Sequence, residues 1–238
     1  MKNKNLIVHN TGFIPYEEGL DLQKNIFQRT VDQKIIHRKM AEEERLPTEN
    51  HFLFCEHPPT YTLGRSGDAG HLLINNKALE EKGATFHKIG RGGDITFHGP
   101  GQVVGYPIID LDHFFTDIHK YLRFLEEMVI LTLADFGVEA GRIDGLTGVW
   151  VDHIEQKRPR KICAMGIKCS RWVTMHGFAL NINTDLSYFS YIVPCGITGK
   201  EVTSLEKELG KPVPLQNVHD RLLHHFSQLF EIDKIEYA

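Results

Sequence analysis

An α+β fold, a mixed central β-sheet flanked by helices, is what this chain predicts, and three observations predict it. Strand-like runs come in clusters, at 51–63, 85–110 and 149–182, instead of alternating one by one with helices. A strongly amphipathic stretch at 118–136 separates two of these clusters, and a second at 218–229 follows the last. The 238 residues carry no internal repeat, low-complexity tract or evident linker, so one domain over 1–238 is expected.

The elements follow in order. Residues 6–8 open as a short apolar strand, and Pro15 then leads into a helix in which Leu22, Ile26 and Ile35 recur at helical spacing, expected to run to about Glu44. Residues 51–56 and 60–63 read as two strands around Pro58-Pro59. A short helix at 76–82 precedes a strand at 85–89 and a brief Ile95-Thr96-Phe97 strand. The apolar run at 103–110 is a further strand. Ile118, Tyr121, Leu122, Leu125, Val129, Leu133 and Phe136 then share one helical face, which Gly137 terminates. Strands at 149–152 and 162–168 are joined by a polar, basic connection, and 178–182 is another strand. Val218, Leu222, Phe226 and Leu229 mark the last helix.

Composition excludes several classes of function. A net charge of −4 leaves no footprint for nucleic acid or an anionic membrane, and 41% hydrophobic with 24% charged residues is ordinary globular usage. No apolar run reaches the ~18 residues of a membrane span, and the N-terminus lacks a sustained apolar core, so a cytosolic protein is expected. Cys55, Cys163, Cys169 and Cys195 form no Cys-x-x-Cys pair, which argues for free thiols and against zinc. The 14 histidines are scattered, and no metal site is expected.

Two places carry chemistry. Arg91-Gly-Gly-Asp-Ile-Thr-Phe-His-Gly-Pro-Gly-Gln102 packs four glycines around a strand and one histidine. Glycine weakens a strand, so this density points to a ligand approaching the backbone closely. Pro194-Cys195-Gly196 presents a thiol on a stiff turn. A thiol with a pKa near ~8.5 needs a base or cation to become a nucleophile. Lys161, His98 and His176 are the candidates, and residue type alone does not choose among them.

The run from Arg91 to Gln102 resembles the signature of octanoyl-[acyl carrier protein]:protein N-octanoyltransferases, the lipoyl(octanoyl) transferases. Lys161-Ile-Cys-Ala-Met-Gly-Ile167, His176-Gly-Phe-Ala-Leu-Asn-Ile-Asn183 and Pro194-Cys195-Gly196 agree with that family in order and spacing. The resemblance implies the biotin/lipoate protein ligase-like fold, itself like that of class II aminoacyl-tRNA synthetases, and acyl transfer without ATP or another cofactor. It implies that Cys195 takes the octanoyl group as a thioester and that Lys161 lowers the thiol pKa and shuttles protons. It places the acyl-substrate contacts on Arg91, Gly92, Gly93, Asp94, Ile95, Thr96, Phe97 and His98, on Ala164, Met165 and Gly166, and on Gly177, Phe178 and Ala179. Octanoyl-acyl carrier protein is the implied donor. Lipoyl domains of 2-oxoacid dehydrogenase complexes and glycine cleavage H protein are the implied acceptors.

Physical chemistry is consistent with that reading. Exchange of one thioester for another is nearly thermoneutral, so the enzyme has a barrier to lower and no nucleotide energy to import. Seven carbons beyond the carbonyl, at ~0.8 kcal/mol per buried CH₂, supply roughly 5 kcal/mol in a closed channel. Ile95, Phe97, Met165, Phe178 and Tyr61 are candidate walls, and His98 is expected to orient the carbonyl or fix the glycine loop. An ATP-using lipoate or biotin ligase would continue His-Asp-x-Gly-Asn where this chain has His98-Gly99-Pro100-Gly101-Gln102, and would lack Pro-Cys-Gly. A non-catalytic acyl-carrier-binding module would have no need of both Lys161 and Cys195. The run Lys157-Arg158-Pro159-Arg160-Lys161 reads either as a solvated turn or as a docking patch for an acidic carrier.

Overall fold

The structure, a computed structural model, describes residues 2–193 and 201–238. Its elements are β1 (Asn5–Phe13), α1 (Tyr16–His37), β2 (His51–Glu56), β3 (Thr60–Leu63), α2 (Asn76–Glu81), β4 (Thr85–Lys88), β5 (Ile95–His98) and β6 (Gln102–Ile108). There follow α3 (Ile118–Asp135), β7 (Ala140–Ile143), β8 (Leu146–Val151), β9 (Arg160–Ser170), β10 (Val173–Asn181), β11 (Glu201–Val202), α4 (Leu205–Leu209), α5 (Leu215–Phe230) and β12 (Lys234–Tyr237).

The main sheet runs β12-β1-β2-β6-β10-β9-β8-β7, with β11 added against β9. It is mixed: β1 is parallel to both β12 and β2, while β2, β6, β10, β9, β8 and β7 pair antiparallel in turn. A smaller sheet, β4-β3-β5, stands beside it. Alternation along β2 shows why both faces of the large sheet are covered. Phe52 and Phe54 pack with Leu125, Val129, Leu222 and Phe226 of α3 and α5, whereas Leu53 and Cys55 pack with Ile26, Phe27 and Val31 of α1. The small sheet has its own cluster, in which Tyr61, Ile95 and Phe97 meet Phe189 and Ile192.

Several boundaries differ from expectation. Helix α1 stops at His37 rather than near Glu44: Ile35 and Ile36 are exposed, and 42–44 form only a 3₁₀ turn. The apolar spacing there continued past the surface the sheet could cover. The α3 boundary holds. Asp117 caps its first turn by accepting from the His119 and Lys120 amides, and Gly137 ends it at φ +78°. Strands β7, β11 and β12 and helix α4 are elements the sequence reading did not contain. Among the described residues, no helix is long and apolar enough to cross a membrane.

Candidate functional site

One cavity of about 470 Å³ opens where the glycine run meets β9 and β10, a size ordinary for a small-molecule site. It is lined by Arg91, Gly92, Gly93, Asp94, Ile95, Thr96 and His98, by Lys161, Ala164, Met165 and Gly166, and by Gly177, Phe178 and Ala179. The expected acyl-contact residues are thus brought together, with one exception. Phe97 stacks on Tyr188 at 4.7 Å between ring centroids and packs against Tyr61 and Phe189, away from the cavity. Thr96 and His98 share the face of β5 opposite Phe97, while Ile95, on Phe97's face, belongs to the small-sheet cluster and also reaches the cavity wall. Tyr61, a candidate wall, is buried in the same cluster and donates its hydroxyl to the Tyr188 carbonyl.

Close backbone approach is a physical feature of this site. The Gly92 amide donates to the Ile167 carbonyl at 2.9 Å, and a Cβ on Gly166 would lie 2.6 Å from the Gly92 oxygen. The glycine run closes over β9 because Gly166 has no side chain. Arg91 fastens the run to β3: its guanidinium donates to the Thr62 carbonyl at 2.7 Å and to the Thr62 hydroxyl at 3.0 Å. On the other flank Gly105 of β6 leaves the space that the Phe178 ring fills.

His98 is committed on both ring nitrogens. The Gln102 amide donates to the Phe97 carbonyl and to Asn181, which leaves its oxygen to accept from His98 Nδ1–H at 3.0 Å. Nε2 then accepts from the Thr62 hydroxyl at 3.2 Å. Burial, followed by His57 and Arg91, holds the His98 pKa down at about 3. His98 is a neutral brace for the glycine loop and not a base. His176 is also held neutral, at about 3, by burial and by Arg91. Its backbone sits at φ +61° inside β10, a conformation costing a non-glycine residue about 1–2 kcal/mol, and its ring lines the cavity.

These two histidines impose a pH dependence on stability. Unfolded, each titrates near ~6.5; folded, each stays neutral down to about 3. Between those values the unfolded chain binds more protons, so stability falls as pH drops from about 6.5 and levels off near 3. Urea melts at pH 7 and 4.5 are expected to show that loss, with a smaller loss in His98→Gln.

Tyr16 and Tyr106 also line the cavity, and sequence reasoning did not single them out. Tyr106 donates its hydroxyl to His57 Nε2 at 2.9 Å, the tautomer being set by His57 Nδ1–H donating to the Ile14 carbonyl. Burial raises both tyrosine pKa values well above the usual range. These partners are far apart in the chain and belong to no local motif.

Lys161 is buried at 8% exposure, with Nζ 4.6 Å from the Trp150 ring centroid. A second, small pocket shares Ile95, Thr96, Lys161, Ala164 and Ala179 with the main cavity and is closed by Gln102, Asn181, Phe189 and Val202. Cys195 lies outside the described residues. On its N-terminal side, the Val193 amide donates to the His71 carbonyl at 2.9 Å; on its C-terminal side, Glu201 and Val202 pair with Arg160 and Lys161. The other three cysteines are poor nucleophiles, since burial pushes the Cys55 thiol up to about 11 and raises Cys163 and Cys169 as well. The basic run is internally paired: Arg158 on Glu201, Arg160 on both oxygens of Glu208, Lys157 on Glu155. That arrangement favours a self-neutralised turn over a docking patch.

Comparison with known proteins places this geometry. The family model described as lipoyl protein ligase A/B catalytic domain matches residues 15–227. A protein named octanoyltransferase from Christiangramia forsetii is 60% identical, over 97% of this chain and 98% of its own length. One of the same name from Cytophaga hutchinsonii is 56% identical over 97% and 94%. Among solved structures, the putative lipoate protein ligase of T. acidophilum with bound lipoic acid superposes with a TM-score of 0.66, covering 100% of this chain and 90% of that one. At 15% identity that likeness speaks for the fold alone.

Proposed function

The chain belongs to the lipoyl protein ligase A/B catalytic domain family, and from that premise we propose that its octanoyl transfer in protein lipoylation runs through a thioester on Cys195, with Lys161 handling the protons. The observation that carries the proposal is that Lys161 lines the same cavity as the glycine run, Ala164 to Gly166 and Gly177 to Ala179. The described residues on the C-terminal side of Cys195 add support, since Val202 pairs with Lys161 itself.

In the first half-reaction the Cys195 thiolate attacks the octanoyl carbonyl of the donor. The Cys195 sulfur–carbon bond forms, the donor's breaks, and the departing thiolate takes a proton from the Lys161 ammonium. In the second, the acceptor lysine attacks as a neutral amine. An amide bond forms, Cys195 leaves as thiolate, and the amine proton passes to Lys161, now neutral. Thioester to amide is downhill, so no nucleotide is consumed. Met165, Phe178 and Ala179 offer apolar surface to the acyl chain, Gly166 lets the glycine run close over β9, and Arg91 and His98 brace the loop beside it. Octanoyl-acyl carrier protein is the proposed donor, and lipoyl domains of 2-oxoacid dehydrogenase complexes and glycine cleavage H protein are the proposed acceptors. We propose that residues 1–238 act as one catalytic domain, because β1 pairs with β12 in the sheet that carries the site.

Intact mass spectrometry tests this directly. Incubated with octanoyl-acyl carrier protein and no ATP, the protein is expected to gain one octanoyl group, absent in Cys195→Ala. An unmodified native protein, or an adduct that survives the substitution, would refute the thioester route.

A further inference from the structure

Among the described residues, Asp94 is the one carboxylate on the cavity wall. Its side chain is 14% exposed, and one oxygen, Oδ2, accepts from Nδ1–H of His71 at 2.5 Å. The other oxygen, Oδ1, is buried and has no hydrogen-bond partner among the described residues. Gly67 closes over it, since a Cβ there would lie 2.5 Å away. Gly67 thus packs directly against the carboxylate, and the His71 ring is its sole described hydrogen-bond donor.

The main chain of His71 has a different task. Its carbonyl accepts from the Val193 amide at 2.9 Å, Leu72 bridges Ile192, and the Leu73 amide donates to the Tyr191 carbonyl at 2.9 Å. Residues 71–73 and 191–193 thus form a short antiparallel ribbon. Asp68 fixes the entry to that ribbon: its side chain accepts from the Gly70 amide at 2.8 Å, and its carbonyl from the His71 amide at 3.0 Å. One residue therefore ties the acyl-cavity wall, through its ring, to the segment that leads into Pro194-Cys195, through its backbone.

We propose that His71 is a positioning residue for the nucleophile, holding the segment before Cys195 in register with the glycine run through Asp94. The proposal rests on the reading that Cys195 is the nucleophile. Without the imidazole, Asp94 is left as a buried carboxylate lacking a donor, a costly state that shifts the wall. The ribbon also loses its polar tie to the run. The thiol then spends less time in attacking geometry, which lowers the rate of the bound complex while leaving the affinity for the donor in place.

Four variants test this: His71→Ala, His71→Asn, Asp94→Ala and the double His71→Ala/Asp94→Ala. Asparagine keeps a donor near the position of Nδ1. The readouts are the single-turnover rate of Cys195 acylation by octanoyl-acyl carrier protein at saturating donor, the donor concentration at half-maximal rate, and the melting temperature. His71→Ala is expected to slow saturated acylation by about tenfold or more with half-saturation unchanged. His71→Asn should recover most of the rate, and the double variant should be no slower than the slower single, because the pair acts as a unit. Acylation at the parent rate in His71→Ala overturns the proposal, as does a His71→Asn no faster than His71→Ala. Additive losses in the double variant overturn it too. An unacylated parent protein sinks the nucleophile reading and this proposal together, whereas an acylated parent with an unaffected His71→Ala sinks this proposal alone.

Discussion

Replacing Lys161 with alanine is expected to slow octanoyl transfer by about three orders of magnitude without unfolding the protein. The side chain is 8% exposed and its ammonium lies 4.6 Å from the Trp150 ring centroid, so a cation–π contact and the packing of its stem are among the interactions that truncation removes. Such losses cost about 1–2 kcal/mol, small beside a fold held by three apolar clusters. On the proposed mechanism the effect on rate is far larger, because both half-reactions would move a proton through Lys161. Lys161→Arg separates charge from proton transfer. Arginine keeps a cation for the thiolate but does not release its proton at working pH. The acyl-enzyme is then expected to form slowly and to accumulate, failing to discharge to a lipoyl domain. Single-turnover mass spectrometry with and without the acceptor reads both steps. Parent kinetics in Lys161→Ala would remove the lysine from the mechanism.

Much of the site was legible because its signals are local. The glycine-dense run was read as a place where a ligand approaches the backbone; within the protein, what approaches closely there is other backbone, Gly92 against Ile167 and Gly166 against Gly92. The lysine at the start of a strand proved to be buried on the cavity. Phe97 was expected on the cavity and instead packs with Tyr61, Tyr188 and Phe189 in the small sheet's own cluster. Tyr16, Tyr106, His57 and His71 were invisible for one reason: each meets the site through pairings between distant segments, which no window of sequence contains.

The fold divides along the same line. Helix α3 carries its cap, its apolar face and its terminal glycine in consecutive residues. The β7–β8 hairpin went unread although Asp144-Gly145, with Gly145 at φ +75°, is a strong two-residue turn signal. Its flanking strands are short and hold glycines, which hid the alternation. β12 has only four residues and gains its identity from pairing with β1, more than two hundred residues earlier.

Gly177→Ala is expected to be among the most destabilising single-methyl changes in the molecule. Gly177 lies in β10, the strand between β6 and β9, facing Gly166 across the ladder. A Cβ there would sit 2.2 Å from the Gly105 oxygen and 2.8 Å from Pro107 Cδ. Neither contact is the far end of a flexible side chain. Relief requires β10 to retreat from β6, and β9 stands directly behind it. Overpacking a well-ordered core costs about 1–3 kcal/mol, occasionally more, and backbone against backbone belongs at the upper end. With roughly 2–4 °C lost per kcal/mol in a domain of this size, the midpoint should fall by about 10 °C. Because Gly177 also lines the cavity, acylation should slow at temperatures where the variant is still folded. Gly90→Ala is the control, its nearest neighbour being Lys168 Cδ at 3.9 Å, and should melt within about 0.5 kcal/mol of the parent. Equal midpoints for the two variants would show that β6 and β10 separate without penalty, and that close approach is not what these glycines provide.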